Sequence, residues 1–554
     1  MYGPAPEAAA RMNTTHGRIT LGAGIVLALV LCAQSSSAQE HPSARIYSLG
    51  GEHVSGVIPD LYTDLTVNPA NTAFADRLTI NYDRRSIAGF VPVFPYLSEN
   101  VQLSPSRDSY MANELSIYGL GLSSWRAALF AQVRLLKSEN NASAIDIYNN
   151  GTAMSSQSDW TSNDSDFGRI DLIAARSLGS AYALGLRLQV WGYYRSNATA
   201  GGATDDYYRD VVFTALDNEY ERTSADTYTG RRISFDFQAG LVKKSDGGSQ
   251  TDLILQASVH PLNYAKQSAS LSIQQDYNEL EQLDSYRYER ATWSDTRKGN
   301  LWIFGLSMRH AFSGGMRIYT GGKVSLASYD ARWSQTQQSY SWSDQDLRAD
   351  NIVTGGFDCD GALRGASYFL KGGRKFGLRD NLDLYLGLHG NFEWNHAEEK
   401  PVIRYSETHR EDTSSVLIDE PATLEYTGTA ASLYLPLSIE FRPSSYFSVF
   451  SGFTIYGEWY KYGTKQPVQS FFYYSRPGGT VSSSRVLMAA ASPDVTIVPT
   501  ATTSNWQHAW DSGSTVTLGF SFHYRERFFI DVYSASEIIP GNLASSLIDV
   551  RYVF

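Results

Sequence analysis

The feature that most constrains this chain is a repeated alternation of apolar residues with polar or small ones, in stretches of about ten residues. Successive side chains of a strand point to opposite faces, so each stretch would present one apolar face and one polar or small face. The first clear stretch covers residues 181–195, and others cover 233–241, 252–259, 382–389, 433–441 and 516–524. The pattern predicts an all-β fold.

The connections between these stretches alternate between short and long. Short turns are predicted near 123–124, 179–180, 245–248, 313–315, 378–380, 443–445 and 525–526. Long hydrophilic segments fall at about 91–112, 138–166, 196–230, 261–299, 330–361, 396–428 and 461–512, and we expect loops there. Such alternation is typical of a transmembrane antiparallel β-barrel, here of about 14–16 strands, with periplasmic turns and extracellular loops. The alternative is a soluble protein whose apolar faces pack into a core.

The N-terminus has the features of a secretory signal. A run of apolar residues from Ile19 to Ala33 follows Arg11 and Arg18 and precedes small residues that end at Ala38. We interpret 1–38 as a signal peptide cleaved after Ala38, because the run is shorter than the ~20 residues that a spanning helix needs. Cleavage would leave Cys359 as the single cysteine, so no intramolecular disulfide can form.

Composition supports a membrane-inserted strand protein. The chain contains 36 Tyr, 25 Phe and 11 Trp, and its formal net charge is -11. The acidic balance disfavours nucleic-acid binding, which requires a basic surface. Aromatic residues cluster near strand ends and predict girdles at the membrane interface. The clustered residues are Trp191, Tyr193, Tyr194, Trp302, Phe304, Trp459, Tyr460, Phe528 and Phe529.

Residues 39–76 differ from the rest of the chain. They contain Gly50, Gly51, Gly56, Pro59 and Pro69, which disfavour a regular strand or a long helix. We therefore expect a compact irregular element before the first strand. Its position predicts a hatch that folds back into the lumen, with the barrel itself spanning 77–554, because a barrel this wide needs a plug to avoid leaking.

The hatch region resembles that of the long-chain fatty-acid outer-membrane transporters (FadL-like). The matching residues are Arg45, Ile46, Tyr47, Ser48, Asp60, Asp64, Asn68, Pro69 and Ala70, followed by a strand from Leu78 to Tyr82. The resemblance is confined to this stretch. It implies a location in the bacterial outer membrane and passive uptake of a hydrophobic molecule such as a long-chain fatty acid. The implied route runs from the loops to the lumen and out sideways through a break in the wall when the hatch shifts.

The end of the chain also carries a resemblance. Ile548, Val550, Tyr552 and Phe554 share one face of the last stretch. This strand resembles the C-terminal strand that outer-membrane barrels present to their insertion machinery. The expected partners are therefore outer-membrane lipid, an apolar ligand and that machinery.

Several charged residues fall on the predicted luminal face: Arg187, Asp236, Arg309, Lys323 and Glu440. They have two interpretations. They would steer the head group of a ligand, or they would pair with one another and stabilise the hatch.

Two other functional classes are a partner-binding barrel and an enzyme. A structural or partner-binding barrel, a secretion accessory or an adhesin-like protein, would use the Tyr- and Ser-rich loops as a contact surface. An enzyme is not expected, because the ten His residues are scattered without Ser/His/Asp spacing on one strand edge. No metal or cofactor site is expected, because the acidic segments do not match the twelve-residue calcium loop.

Overall fold

A computed structural model provides the fold of the protein. It describes residues 43–89, 101–103, 107–122, 124–148, 153–208, 216–245, 247–277, 283–343, 346–409, 415–421, 423–467, 473–474, 482–483, 502–525, 527–537 and 545–554. The predicted signal peptide, 1–38, lies outside these residues. Among them, no helix has both the length and the apolar character that crossing a membrane requires.

The described chain is dominated by long antiparallel strands. The first eight wall strands are β1 (Thr79–Gly89), β2 (Arg107–Leu122), β3 (Trp125–Tyr148), β4 (Ala153–Leu178), β5 (Tyr182–Tyr208), β6 (Leu216–Lys244), β7 (Gln250–Tyr277) and β8 (Leu283–Ala311). The next eight are β9 (Met316–Ser343), β10 (Asp346–Arg379), β11 (Leu382–Glu399), β12 (Leu424–Ser444), β13 (Phe447–Pro467), β14 (Thr502–Tyr524), β15 (Phe528–Glu537) and β16 (Ser545–Val553).

These sixteen strands close into a barrel. Each pairs with the next along the chain, and the circle closes where Thr79 of β1 lies opposite Val553 of β16. The described wall therefore has the higher of the two predicted strand numbers. The closing strand is the one that ends next to Phe554, although its recognition by insertion machinery stays a prediction. Short strands add to the sheet at Val101–Leu103, Val402–His409 and Ser415–Pro421, and Tyr473–Tyr474 pairs with Ser482–Ser483.

The predicted alternation is confirmed along the wall. In β5, Leu184, Leu186 and Leu188 are exposed on the outer face, whereas Arg187 and Gln189 are buried on the inner face. The same contrast holds on β6 between exposed Phe235 and its buried neighbours. A closed wall with an apolar outside has no second protein layer to cover it, so the described barrel faces lipid and the soluble alternative is excluded.

Leu255 provides a direct test of this orientation. Its side chain is 54% exposed on the outer face of β7. Leu255→Arg would place a charge in the hydrocarbon, and we expect the free energy of unfolding from lipid vesicles to fall by about 2–4 kcal/mol. Ser224→Arg is the control, because Ser224 is exposed on β6 beyond the apolar stretch. Equal stabilities of the two variants would contradict a lipid-facing Leu255.

The prediction that all the long hydrophilic segments are loops is wrong for much of their length. Most of 196–230 belongs to β5 and β6, most of 261–299 to β7 and β8, and most of 330–361 to β9 and β10. The apolar alternation stops where the membrane stops, but backbone N–H and C=O groups still pair between neighbouring strands in water. Tyr- and Thr-containing segments also suit strands. The wall therefore extends well beyond the membrane.

Residues 43–76 form four short helical turns rather than strands. These are α1 (Ala44–Ser48), a 3-10 turn at Gly51–His53, α2 (Leu61–Val67) and a 3-10 turn at Pro69–Phe74. Asp60 caps α2 by accepting a hydrogen bond from the Thr63 amide at 2.9 Å. Gly50 and Gly56 have φ of 121° and 80°, a conformation that favours glycine and that lets the chain reverse between turns. We refer to residues 43–76 as the hatch.

Candidate functional site: the luminal hatch and its seat

The hatch lies inside the barrel. It contacts inward-facing side chains from strands all around the wall, namely Glu114, Arg187, Arg309, Glu440 and Thr517. Ile46, Leu49 and Leu65 of the hatch have 0% exposure. Its wall contacts fall close to the short turns, so the hatch occupies the periplasmic half of the lumen.

Asp64 of α2 is held by two arginines of the wall. It pairs with Arg309 of β8 and lies 3.2 Å from Nη1 of Arg317 on β9. Arg309 also donates through Nε to Oδ2 of Asp252 at 2.8 Å. Arg309 is 2% exposed, so losing it would leave buried carboxylates with reduced compensation. This network fixes α2 against β7, β8 and β9.

A second ionic contact fixes α1 on another side of the lumen. Arg45 donates to Glu440 of β12 at 2.7 Å and to the Tyr385 hydroxyl of β11 at 3.0 Å. It also donates to the Pro59 carbonyl at 2.9 Å, which ties the two ends of the intervening loop together. Asp60 lies 3.8 Å from Arg45. Salt bridges therefore hold the hatch to the wall at two places, α1 at β12 and α2 at β8 and β9.

The Asn68-Pro69-Ala70 motif sits on two wall glycines. The Asn68 side chain caps the following 3-10 turn by accepting from the Ala70 amide at 3.0 Å. Gly185 of β5 and Gly240 of β6 face each other beneath it. A Cβ on Gly240 would lie 1.8 Å from Asn68 Oδ1, and one on Gly185 would lie 2.2 Å from the Ala70 nitrogen. A side chain does not fit at either position, because the hatch backbone touches Gly185 and the Asn68 side chain touches Gly240.

Arg187 of β5 links the wall to the hatch beside this motif. Its Nη1 donates to the Thr66 carbonyl of the hatch at 2.8 Å and to Gln238 at 3.2 Å, and its Nη2 pairs with Asp171. Arg187, Arg309 and Glu440 therefore face inward and contact the hatch, which is the stabilising interpretation of these side chains. Their part in steering a ligand stays a prediction.

Asp236 and Lys323 also lie on the inner face of the wall. Asp236 accepts from Nε1 of Trp191 at 2.7 Å and lies 3.6 Å from Nε2 of His260. Lys323 is half-buried on β9, beside Gly305. The interfacial prediction for Trp191 is wrong, because its ring is 5% exposed and turned into the lumen, where Asp236 accepts its N–H.

A break in the wall between β6 and β7 was not predicted from the sequence. Gly230 pairs with Tyr264 and Phe235 pairs with Val259, in the same register, but residues 231–234 and 260–263 between them form no ladder pairs. Pro261 has no N–H to donate, which is the signal in the sequence for an interrupted ladder. A shorter gap, at 387–388 opposite 435–436, contains Pro436.

An apolar luminal patch lies on the extracellular side of the hatch and reaches this break. Its buried members are Leu301, Ile303, Ala327, Tyr329, Ala331, Leu363, Ala397 and Tyr426, from β8 to β12. Leu301 and Ile303 face inward, because Trp302 and Phe304 between and beside them are exposed outside. Leu262, within the unpaired stretch of β7, packs against the patch. Apolar groups on the inner face depart from the polar interior that is usual in such barrels.

Comparisons with known proteins find only weak similarities to this chain. No family model matches the chain, and no curated protein matches it. Among solved structures, it is similar to a deltaS2 mutant of the TodX monoaromatic hydrocarbon channel, with 10% identity over 93% of this chain and 97% of that chain and a TM-score of 0.34.

Two other solved structures show the same low level of similarity. The CymD monoaromatic hydrocarbon channel is 9% identical over 92% and 96% of the two chains, with a TM-score of 0.24. A point mutant of the ferric enterobactin receptor of Pseudomonas aeruginosa, in complex with enterobactin, is 8% identical over 86% and 81%, with a TM-score of 0.26. Similarities this weak define no ligand.

The molecule's own architecture defines its class. It is a closed antiparallel barrel with an even number of strands, an apolar outer face and a lumen that contains a helical hatch. These are the features of bacterial outer-membrane proteins.

Proposed function

We propose that this barrel takes up a hydrophobic small molecule, such as a long-chain fatty acid, passively across the bacterial outer membrane. The observation that carries the proposal is the apolar luminal patch, which runs along the inner wall to Leu262 at the unpaired stretch between β6 and β7. The side chains of this patch are buried against one another, so an apolar molecule that enters from outside would bind above the hatch by separating them. An apolar cargo would regain there the contacts that the separated side chains lose, and the buried Glu399, which accepts from the Tyr329 hydroxyl at 3.0 Å, already has its own partners.

The route that we propose ends sideways in the membrane. The hatch occupies the periplasmic half of the lumen, where the charged contacts of Arg45, Asp64 and Arg309 hold it to the wall. The unpaired stretch includes Ile233, whose side chain is 50% exposed on the outer face. A cargo that leaves there passes from one apolar environment to another and avoids water. The enzyme alternative stays outside the proposal, because uptake of this kind needs no catalytic group.

A reversible cross-link tests the route. Arg231 and Asn263 face each other across the gap, on the exposed side of the wall. In a Cys359→Ser background, Arg231→Cys with Asn263→Cys would join β6 to β7 on oxidation. We expect labelled fatty acid to enter lipid vesicles that contain the reduced double variant. Its rate of entry should be about tenfold lower when the double variant is oxidised. That factor corresponds to about 1.4 kcal/mol on the barrier.

A single-cysteine variant provides the control. Arg231→Cys alone, treated with the same oxidant, should show no change in rate. Equal uptake by the oxidised and reduced double variant would refute the lateral route. Free passage of small sugars through the wild-type protein would refute the proposal as a whole, because a sealed hatch does not conduct polar solutes.

The second candidate is a partner-binding barrel. The strands favour it through their height, since β6 has 29 residues and β10 has 34, whereas about 9–11 suffice to span a membrane. The polar parts above the membrane offer a large surface to another protein. A stable partner that co-purifies with the chain, together with no binding of fatty acid, would favour this alternative.

A further inference from the structure

Two histidines meet where the hatch touches the wall. His53 ends the 3-10 turn Gly51–His53 of the hatch, and His389 lies on β11. Their Nδ1 atoms are 3.2 Å apart, and both side chains are half-buried. The His53 ring stacks on Tyr434 of β12 with 3.9 Å between ring centroids, and this stacking fixes the orientation of His53. One imidazole therefore comes from each of the two bodies that uptake would have to separate.

The spacing suits a metal ion as well as a hydrogen bond. Neutral imidazole nitrogen is a preferred ligand of Zn²⁺ and Cu²⁺. An ion at a bond length of ~2.1 Å from both Nδ1 atoms would subtend an angle of about 100° between them, which lies between octahedral and tetrahedral values. The ion would take the place of the proton that the two nitrogens share. Water would complete the coordination, because the described residues contain no group of three His, Cys, Asp or Glu side chains suited to a metal.

The surrounding charges are mixed. The Lys371 ammonium group lies nearby and donates to the Glu52 carbonyl at 3.0 Å. The Glu458 carboxylate lies on the other side, where it accepts from the hydroxyls of Tyr434 and Tyr460. The Glu52 side chain is exposed at the same surface of the hatch. The Lys371 ammonium and the Glu458 carboxylate carry opposite charges, so the two imidazoles, rather than the surrounding charge, would have to hold the ion.

We propose that His53 and His389 bind a divalent transition-metal ion that clamps the hatch to the wall. The ion would bridge residues 53 and 389, so it would have to leave, or lose one imidazole, before this part of the hatch could move. The site is independent of what the barrel carries, so its failure would leave the uptake proposal untouched.

Copper binding to the purified full-length protein in detergent tests the site. After treatment with EDTA, we expect one Cu²⁺ to bind saturably, and electron paramagnetic resonance to report two nitrogen ligands. Zn²⁺ should compete for the site, whereas Mg²⁺ and Ca²⁺, which prefer oxygen ligands, should not. His53→Gln and His389→Gln should each weaken copper binding by more than about tenfold.

His396→Gln is the matched control, since His396 lies on β11 as well but contacts Thr427 and Trp394 instead. It should bind copper as the wild type does. Resistance of each variant to unfolding in SDS at room temperature shows that the barrel has formed. Ligation by a single nitrogen, or copper affinity that is unchanged in His53→Gln, would overturn the proposal, and so would the absence of saturable binding to the wild type.

Discussion

Arg309→Met should turn a closed barrel into a conducting one. Arg309 is the buried cation between Asp64 of the hatch and Asp252 of the wall. Removing one partner of a buried ion pair costs about 3–5 kcal/mol, because the remaining charges lose their compensation. Much of this cost destabilises the state in which the hatch is bound to the wall, because Arg317 would then be the one remaining described ion-pair partner of Asp64. We expect the fraction of unseated hatch to rise roughly a hundredfold or more.

Single-channel recording in planar bilayers measures this effect. The wild type should stay closed to small ions for most of the record, and Arg309→Met should open frequently. Arg309→Lys should fall between the two, since an ammonium group keeps the charge but loses the fork of donors that reaches both carboxylates. Arg332→Met provides the control: its pair with Asp358 is also an Arg–Asp contact, at 2.8 Å, but the two side chains are 70% and 59% exposed. Such a pair contributes at most about 1 kcal/mol. A closed Arg309→Met barrel would show that the ionic contact does not hold the hatch.

The wall could be predicted from the sequence because its cause is local. Leu184, Leu186 and Leu188 alternate with polar or small residues, and lipid outside the barrel requires that pattern in every strand. The strand ends could not be predicted in the same way. Above the membrane both faces of a strand meet water, so hydrophobic alternation disappears while the hydrogen-bonded ladder continues, as in the outer parts of β5 and β6.

The site was harder to predict from the sequence than the wall, because its contacts join distant parts of the chain. Asn68-Pro69-Ala70 stood out as a motif, but nothing local shows that it rests on Gly185 and Gly240. Asp64 and Arg309 were both singled out, yet their pairing spans 245 residues and depends on barrel closure. Trp191 shows why aromatic clustering alone could not give its position: it lies in the middle of β5, and its ring is on the inner face, where Asp236 accepts its N–H.

Gly185→Ala tests whether steric fit, as well as charge, holds the hatch. The added Cβ would lie 2.2 Å from the Ala70 nitrogen and 2.3 Å from the Pro69 carbonyl carbon, which are backbone atoms and cannot rotate away. The 3-10 turn at Pro69–Phe74 must therefore move off the wall. Overpacking of this kind costs about 1–3 kcal/mol and occasionally more. We expect faster amide hydrogen exchange at residues 68–74 and openings in single-channel records.

Gly372→Ala is the matched control, because a Cβ on that strand glycine of β10 meets no heavy atom within 4 Å. It should leave both exchange and conductance unchanged. Combining Gly185→Ala with Ala70→Gly does not relieve the clash, since the contact is made by backbone atoms, and this double variant should exchange as fast as Gly185→Ala alone. If Gly185→Ala kept wild-type exchange at 68–74, the hatch would not rest on Gly185. The motif would then owe its place in the lumen to the charged contacts of α1 and α2, and Arg309 would be the stronger determinant of closure.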